Sequence, residues 1–381
     1  VRRIGVITTS RADFGIYRPA LAAMAAHPDL EPRLFVGGSH TMPAFGETIR
    51  EIEASGFPIA AVIPMTHREG PEGVAAMMAE TLAGFGAAFG RERPDIALAL
   101  GDRFEMLAAV MAASPHLLPV AHLHGGEESE GAIDNMYRHA IAKLSHLHFC
   151  ATALSARRLA AMGEEDWRIH TVGAPALDGV AEEPAIARAD LLARAGLPDG
   201  PFLLCTYHPE TLRGDATLAD FEAVLGAVLD AGMPALFTKA NPDLHGLAMN
   251  ARLAEVAAGT ARVAVVESLG RSGYFSAMRH AAAMVGNSSS GIIEAASFAL
   301  PVVNVGDRQA GRERSANTFD VPADRRAIRE AIGAALAGGR PEPGAIRNVY
   351  GDGAASPKIS EALARIEIGP ALLRKRFTLV R

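Results

Sequence analysis

The chain has 381 residues, 49% of them apolar and 21% charged, and a formal net charge of −6. That length favours two domains, each large enough for its own core, and the balance is ordinary for a soluble globular protein. The charge excludes the basic footprint of a nucleic-acid binder and gives no general pull toward a membrane, so any anion site has to be locally basic.

Strands and helices alternate from the start. Ile4–Thr8 predicts a strand. No signal peptide precedes it and no apolar run approaches the ~20 residues of a spanning helix, so a cytoplasmic protein is expected. Tyr17–Ala26 predicts a helix with Pro19 in its first turn. Glu31–Val36 is the next strand, Phe45–Ser55 a helix closed by Gly56, Pro58–Ile63 a short strand and Val74–Phe89 a long helix. Then come strand Ile96–Leu100, helix Phe104–Ser114, strand Val120–Leu123, helix Ile133–Leu144, strand His148–Ala151, helix Leu154–Met162 and strand Ile169–Val172. Such βα repeats predict a parallel sheet with helices on both faces. Gly173-Ala174-Pro175 closes this first series, giving a domain over 1–176.

A second series covers 177–360, and 361–381 is expected to be a helix and tail packing back toward the N-terminal domain. The second series has strands at Phe202–Thr206, Ala235–Thr238, Val263–Val266, Ala282–Val285 and Val302–Val305. Its helices lie near Leu218–Ala231, Leu247–Ala257, Ser272–His280, Ile292–Ala299 and Ala327–Ala337. Cys150 and Cys205 sit in apolar runs and read as buried thiols rather than a disulfide or a metal pair. The expected architecture is two Rossmann-like α/β domains facing across a cleft, with ligands outside the carboxyl ends of the strands.

Polar residues gather at those strand ends. After the first strand comes Thr9-Ser10-Arg11-Ala12-Asp13, where Arg11 can clamp a phosphate or pair with Asp13. Gly101-Asp102-Arg103 follows the fourth strand, placing a carboxylate beside a helix start. His122-Leu123-His124-Gly125-Gly126-Glu127 follows, then Glu128, Glu130 and Asp134. His-x-His on a strand would point both rings to one face, but without Cys or HExxH partners acid/base machinery explains this set better than zinc. In the second half, His208-Pro209-Glu210, Lys239-Ala240-Asn241-Pro242-Asp243 and Glu267-Ser268 end three strands. Gly286-Asn287-Ser288-Ser289-Ser290-Gly291 and Gly306-Asp307-Arg308-Gln309 end two more. A serine turn at a helix start offers hydroxyls, N–H groups and a positive dipole end to an anion. With Arg nearby and Glu294 one turn on, able to accept from ribose hydroxyls, the set suits a nucleoside diphosphate.

These motifs, with Ser10-Arg11-Ala12-Asp13-Phe14-Gly15, Arg138-His139-Ala140-Ile141, Lys143-Leu144-Ser145-His146 and Tyr350-Gly351-Asp352-Gly353, resemble the hydrolysing UDP-N-acetylglucosamine 2-epimerases of the sialic- and legionaminic-acid branch. The resemblance covers nearly the whole chain. It implies a GT-B fold, a nucleotide sugar as partner, no metal and no redox cofactor, and a homodimer or homotetramer. It also implies elimination of UDP across C1–C2 to a glycal, followed by hydration to the free 2-epimer. Carried over, Ser288, Ser289, Ser290 and Gly291 bind the diphosphate, Glu294 the ribose, and Arg11, His208 and Arg308 lie around the phosphates, with Asn241 nearby. Asp102, Asp134, His124 and Glu127 form the catalytic set. The chain departs from several members in having His124 where they carry Glu, and one more residue between Glu127 and Asp134. Either Glu128 or Glu130 could therefore replace the missing carboxylate. UDP-N-acetylglucosamine is the leading substrate. UDP- or GDP-N,N'-diacetylbacillosamine is the alternative, and a GT-B glycosyltransferase the more distant one.

Overall fold

Among the described residues, five mostly buried runs between Arg2 and Cys150 become the inner strands of a sheet whose faces are covered by helices, and two partly exposed runs, Ile59–Val62 and Ile169–Thr171, become its edges. The structure, a computed structural model, describes residues 1–42, 48–240, 245–342 and 344–379, apart from the side chain of Arg11. The strands are β1 (Arg2–Thr8), β2 (Leu30–Val36), β3 (Ile59–Val62), β4 (Ile96–Leu100), β5 (Val120–Leu123), β6 (Leu147–Cys150) and β7 (Ile169–Thr171). They form a parallel sheet in the order β3-β2-β1-β4-β5-β6-β7. Its helices are α1 (Arg11–Ala26), α2 (Ile49–Ala54), α3 (Gly70–Glu92), α4 (Phe104–Ala113), α5 (Asp134–Leu144) and α6 (Ala153–Ala161).

Three helices of this unit differ from expectation, among them α3, which runs Gly70–Glu92 rather than Val74–Phe89. The start of the predicted helix Phe45–Ser55 lies outside the described residues. Helix α1 begins at Arg11 rather than Tyr17, because Ser10 and Asp13 form a capping box. The Asp13 carboxylate also accepts from Thr9 N–H, Thr9 Oγ1 and Ser10 N–H at 2.8–3.0 Å. By length and composition α3 is apolar enough to cross a membrane, although Glu80 interrupts it in sequence. Its Met77, Phe85 and Phe89 are buried, and it packs on α4.

The second unit holds another parallel sheet, ordered β10-β9-β8-β11-β12-β13. Its strands are β8 (Leu203–Thr206), β9 (Ala235–Thr238), β10 (Val263–Val266), β11 (Ala283–Gly286), β12 (Val302–Val305) and β13 (Thr318–Val321). The helices are α7 (Arg188–Ala195), α8 (Ala216–Asp230), α9 (Gly246–Gly259), α10 (Gly270–His280), α11 (Ser289–Ile293) and α12 (Arg325–Gly338). Strand β13 escaped the sequence reading because it is an edge strand with exposed Phe319 and Asp320 and lacks a continuous apolar run.

The division between units also differs from expectation. The first unit comprises Val1–Glu127, Asp134–Asp178 and Tyr350–Arg381; the second, Glu128–Ile133 and Gly179–Val349. The chain rejoins the first unit at Tyr350, not near 361. Tyr350 is buried and its carbonyl accepts from Ala174 N–H at 2.8 Å. Helix α13 (Ala355–Arg365) packs on α1, with Ala355 and Ser356 N–H donating to the Asp178 carboxylate at 2.9 and 2.5 Å. The short helix α14 (Pro370–Leu373) follows.

Candidate functional site

Each sheet has one place where strand order reverses, and open α/β sheets bind ligands outside the strand ends there. It lies between β1 and β4 in the first unit and between β8 and β11 in the second. The predicted residues Arg11 and Asp102 follow β1 and β4, while His208 and the serine turn follow β8 and β11.

In the first unit Asp102 is partly exposed and ion-paired with Arg138. Arg138, on α5 and only 2% exposed, also donates from Nη1 to the His124 carbonyl at 3.0 Å. One buried guanidinium therefore positions both the Asp102 carboxylate and the backbone of the His loop. His122 donates from Nε2 to the Gly101 carbonyl at 2.8 Å, and burial lowers its pKa to about 3, so it is a neutral brace for the Asp102 turn.

His124 lies one residue past β5 with φ +61°, a left-handed conformation uncommon outside glycine. Its ring therefore does not share a face with that of His122, and the His-x-His zinc geometry does not form. His124 Nδ1 instead lies 2.5 Å from Glu127 Oε1, both side chains being buried. The carboxylate fixes the tautomer with the proton on Nδ1, leaving Nε2 as the basic atom. Nε2 is buried and has no hydrogen-bond partner among the described residues. This is a histidine–carboxylate dyad, a pairing suited to proton transfer.

Asp134 is the half-buried first residue of α5. Glu128 and Glu130 belong to the second unit, where Glu128 O accepts from Arg312 Nε at 3.1 Å and Glu130 N–H donates to Ala310 O at 3.4 Å. Close packing enforces this: a Cβ on Gly131 would lie 2.8 Å from the Arg308 backbone. The structure therefore draws the two spare glutamates to the 307–312 loop.

In the second unit, Asn287 joins three predicted motifs. Its side chain accepts from His208 N–H at 2.7 Å and donates to His208 O at 2.8 Å. Its carbonyl accepts from Arg308 Nη1 at 3.2 Å and Gln309 Nε2 at 2.9 Å. The preceding Gly286 has φ +141°, and a Cβ there would meet Thr206 O at 1.9 Å, so only glycine lets the turn leave β11 this closely. Burial, then the Arg308 charge, holds His208 well below the ordinary imidazole pKa, so it is neutral.

The serine turn also differs in detail. Helix α11 starts at Ser289, not Ile292, with Ser288 as N-cap accepting from Ser290 N–H. It is only five residues long and gives way to a 3-10 turn over Ala295–Phe298, so its macrodipole is small. The serine hydroxyls then carry more of any anion grip than the helix end does. Glu294 is the half-buried C-cap of α11. Asn241 lies outside the described residues, as does the side chain of Arg11.

A family model described as UDP-N-acetylglucosamine 2-epimerase matches residues 22–364. The chain is 38% identical over 377 residues to the UDP-N,N'-diacetylbacillosamine 2-epimerase (hydrolyzing) of Legionella pneumophila, covering 98% of this chain and 99% of that one. It is 35% identical over 325 residues to the GDP/UDP-N,N'-diacetylbacillosamine 2-epimerase (hydrolyzing) of Campylobacter jejuni, covering 84% of each. The solved UDP-GlcNAc 2-epimerase of Neisseria meningitidis, bound to UDP-GlcNAc, superposes with a TM-score of 0.79 at 15% identity, over 96% of this chain and 100% of that one. That last likeness is one of fold, and the fold is GT-B with two Rossmann-like units.

Proposed function

The chain belongs to the UDP-N-acetylglucosamine 2-epimerase family, and on that premise we propose that it is a hydrolysing UDP-sugar 2-epimerase. The observation that carries the chemistry is the buried His124–Glu127 dyad in the same unit as the Arg138-held Asp102. Inverting C2 requires a proton to leave one face of the sugar and another to arrive on the opposite face. Two acid/base groups are therefore needed. His124 Nε2, with Glu127 stabilising the imidazolium, is one. Asp102 is the other, and Asp134 is the reserve carboxylate. Loss of the C2 proton expels UDP from C1 and leaves a glycal; water adding at C1, with protonation at C2, gives the free 2-epimer.

The departing diphosphate needs charge stabilisation. Ser288, Ser289, Ser290 and Gly291 supply it with Arg308 and neutral His208, and Arg11 adds charge. Glu294 accepts from the ribose hydroxyls. The sugar is a 2-acetamido hexose. N,N'-diacetylbacillosamine stands ahead of N-acetylglucosamine, because two relatives of 38% and 35% identity carry that substrate in their names. N-acetylglucosamine, named by the family model, is the second reading.

The test is incubation of the purified protein with each UDP-sugar, and with the GDP form of the diacetamido sugar, in deuterated water. The expected result is free nucleotide and a 2-epimeric sugar carrying one deuterium at C2. Release of no nucleotide from any of them would remove the hydrolysing assignment. Turnover only with an added acceptor points to a glycosyltransferase, and preference for UDP-N-acetylglucosamine reverses the substrate order.

A further inference from the structure

Behind the serine turn lies a row of hydroxyl groups that no motif announced. Tyr274, on α10, has its hydroxyl 2.7 Å from Ser290 Oγ and 3.4 Å from Thr206 Oγ1. Thr206 Oγ1 is 2.7 Å from Thr238 Oγ1, and Ser290 Oγ is 2.9 Å from Ser288 Oγ. The row Thr238–Thr206–Tyr274–Ser290–Ser288 thus runs from the ends of β8 and β9, through α10, into the turn.

Each hydroxyl has one proton to give, so such a row has a direction. A phenol is far more acidic than an aliphatic hydroxyl and is the better donor. Burial raises the Tyr274 pKa, so the proton stays on the ring oxygen. Ser288 Oγ already accepts from Ser290 N–H. If Tyr274 donates to Ser290, Ser290 donates to Ser288, and the Ser288 proton is left over. If the direction reversed, Ser288 would spend its proton inward and present lone pairs outward, which repel an anion.

We propose that Tyr274 is a positioning residue for the diphosphate grip, setting the direction of this row so that the serine turn presents a proton rather than a lone pair to phosphate. The proposal rests on the reading of the serine turn as the site for UDP. It adds a residue that acts through Ser290 without needing to touch the ligand.

The experiment is a double-mutant cycle on the full-length protein, with UDP, inorganic pyrophosphate and uridine as probes and calorimetry as the readout. Tyr274→Phe keeps the ring and removes only the hydroxyl. It should weaken UDP and pyrophosphate about fivefold, the worth of one net hydrogen bond, and leave uridine within about twofold. In turnover the loss should fall on KM more than on kcat. In a Ser290→Ala background, Tyr274→Phe should add less than about twofold, because the group it acts through is gone. Additive losses in the double variant, equal weakening of uridine, or undiminished UDP affinity in Tyr274→Phe would each overturn the assignment of Tyr274. Wild-type protein that binds neither UDP nor pyrophosphate overturns the nucleotide reading itself, which is a separate outcome.

Discussion

Replacing Glu164 by Gln should destabilise the first unit by about 3 kcal/mol at neutral pH, with a pH dependence of known sign. Glu164 is 1% exposed and accepts from three groups: Lys143 Nζ at 2.7 Å, Lys375 Nζ at 2.8 Å and His148 Nε2 at 3.1 Å. Burial by itself raises a carboxyl pKa, but here the hydrogen bonds from His148, Lys143 and Lys375 outweigh it and bring the value from 4.5 to about 2. A shift of that size corresponds to about 3 kcal/mol of folding free energy. The folded-state pKa lies below the unfolded one, so this contribution is fully present above about pH 4.5 and is lost as pH falls toward 2. By about pH 3.5 the gap between wild type and Glu164→Gln should have narrowed by about 1.4 kcal/mol. The cluster pins the C-terminal tail: Thr378 N–H donates to Gly163 O at 3.0 Å, and Arg168 donates to the carbonyls of Leu372, Ala371 and Arg374 at 2.8–3.1 Å. The single tryptophan, Trp167, stacks under the Arg168 guanidinium at 4.1 Å and so reports on this latch. Urea unfolding followed by its fluorescence at several pH values is the assay. A gap below about 1 kcal/mol at neutral pH would contradict the three-donor account. So would a gap that stays constant from about pH 5 down to 3.5.

Three further predictions concern the candidate site. Asp102→Asn should keep UDP affinity within a few-fold while turnover falls about a hundredfold or more; if calorimetry shows affinity and turnover falling together, Asp102 belongs to binding instead. His124→Asn should fold with stability within about 1 kcal/mol of wild type, since asparagine tolerates positive φ and can still donate to Glu127. It cannot relay a proton, so turnover should vanish, and substantial residual turnover would take the dyad out of the mechanism. Gly131→Ala should push on the Arg308 backbone, 2.8 Å from the new Cβ, and weaken UDP binding about tenfold; unchanged UDP affinity would show that Arg308 does not depend on this packing.

Most strands of the two sheets were legible because they are short apolar runs between helical periods, a signal that survives without tertiary information; β13, which has no such run, was not. The strand-end loops were legible because a parallel sheet gathers the loops after its strands at one edge, and those after β1, β4, β8 and β11 flank the switch points. What stayed hidden depended on distant partners. Nothing around Arg138 says that it serves Asp102 and His124, which lie 36 and 14 positions away. Asn287 was visible as part of a turn, but its bonds to His208 span 79 positions. The expectation that His122 and His124 point to one face failed through one residue of strand length, because β5 ends at Leu123 and the backbone turns to positive φ at His124. Glu128 and Glu130 read as neighbours of the dyad because they are so in sequence, while the fold assigns them to the other unit.

The two units meet one physical problem in the same way. A loop beyond the end of a strand has no ladder to hold it, and small polar loops bury too little apolar surface to be fixed by packing. Each unit uses a buried polar side chain as a hub between two such loops. Arg138 joins the Asp102 turn to the His124 loop, and Asn287 joins the His208 loop to the turn that meets Arg308 and Gln309. Both hubs bond to backbone carbonyl or N–H groups, so they fix the path of the chain and not only a rotamer. The Arg138 bond to the His124 carbonyl fixes the backbone whatever side chain stands there. The left-handed backbone at His124, costly by itself at roughly 1–2 kcal/mol, is held by that bond and by His124 N–H donating to Phe149 O at 3.1 Å.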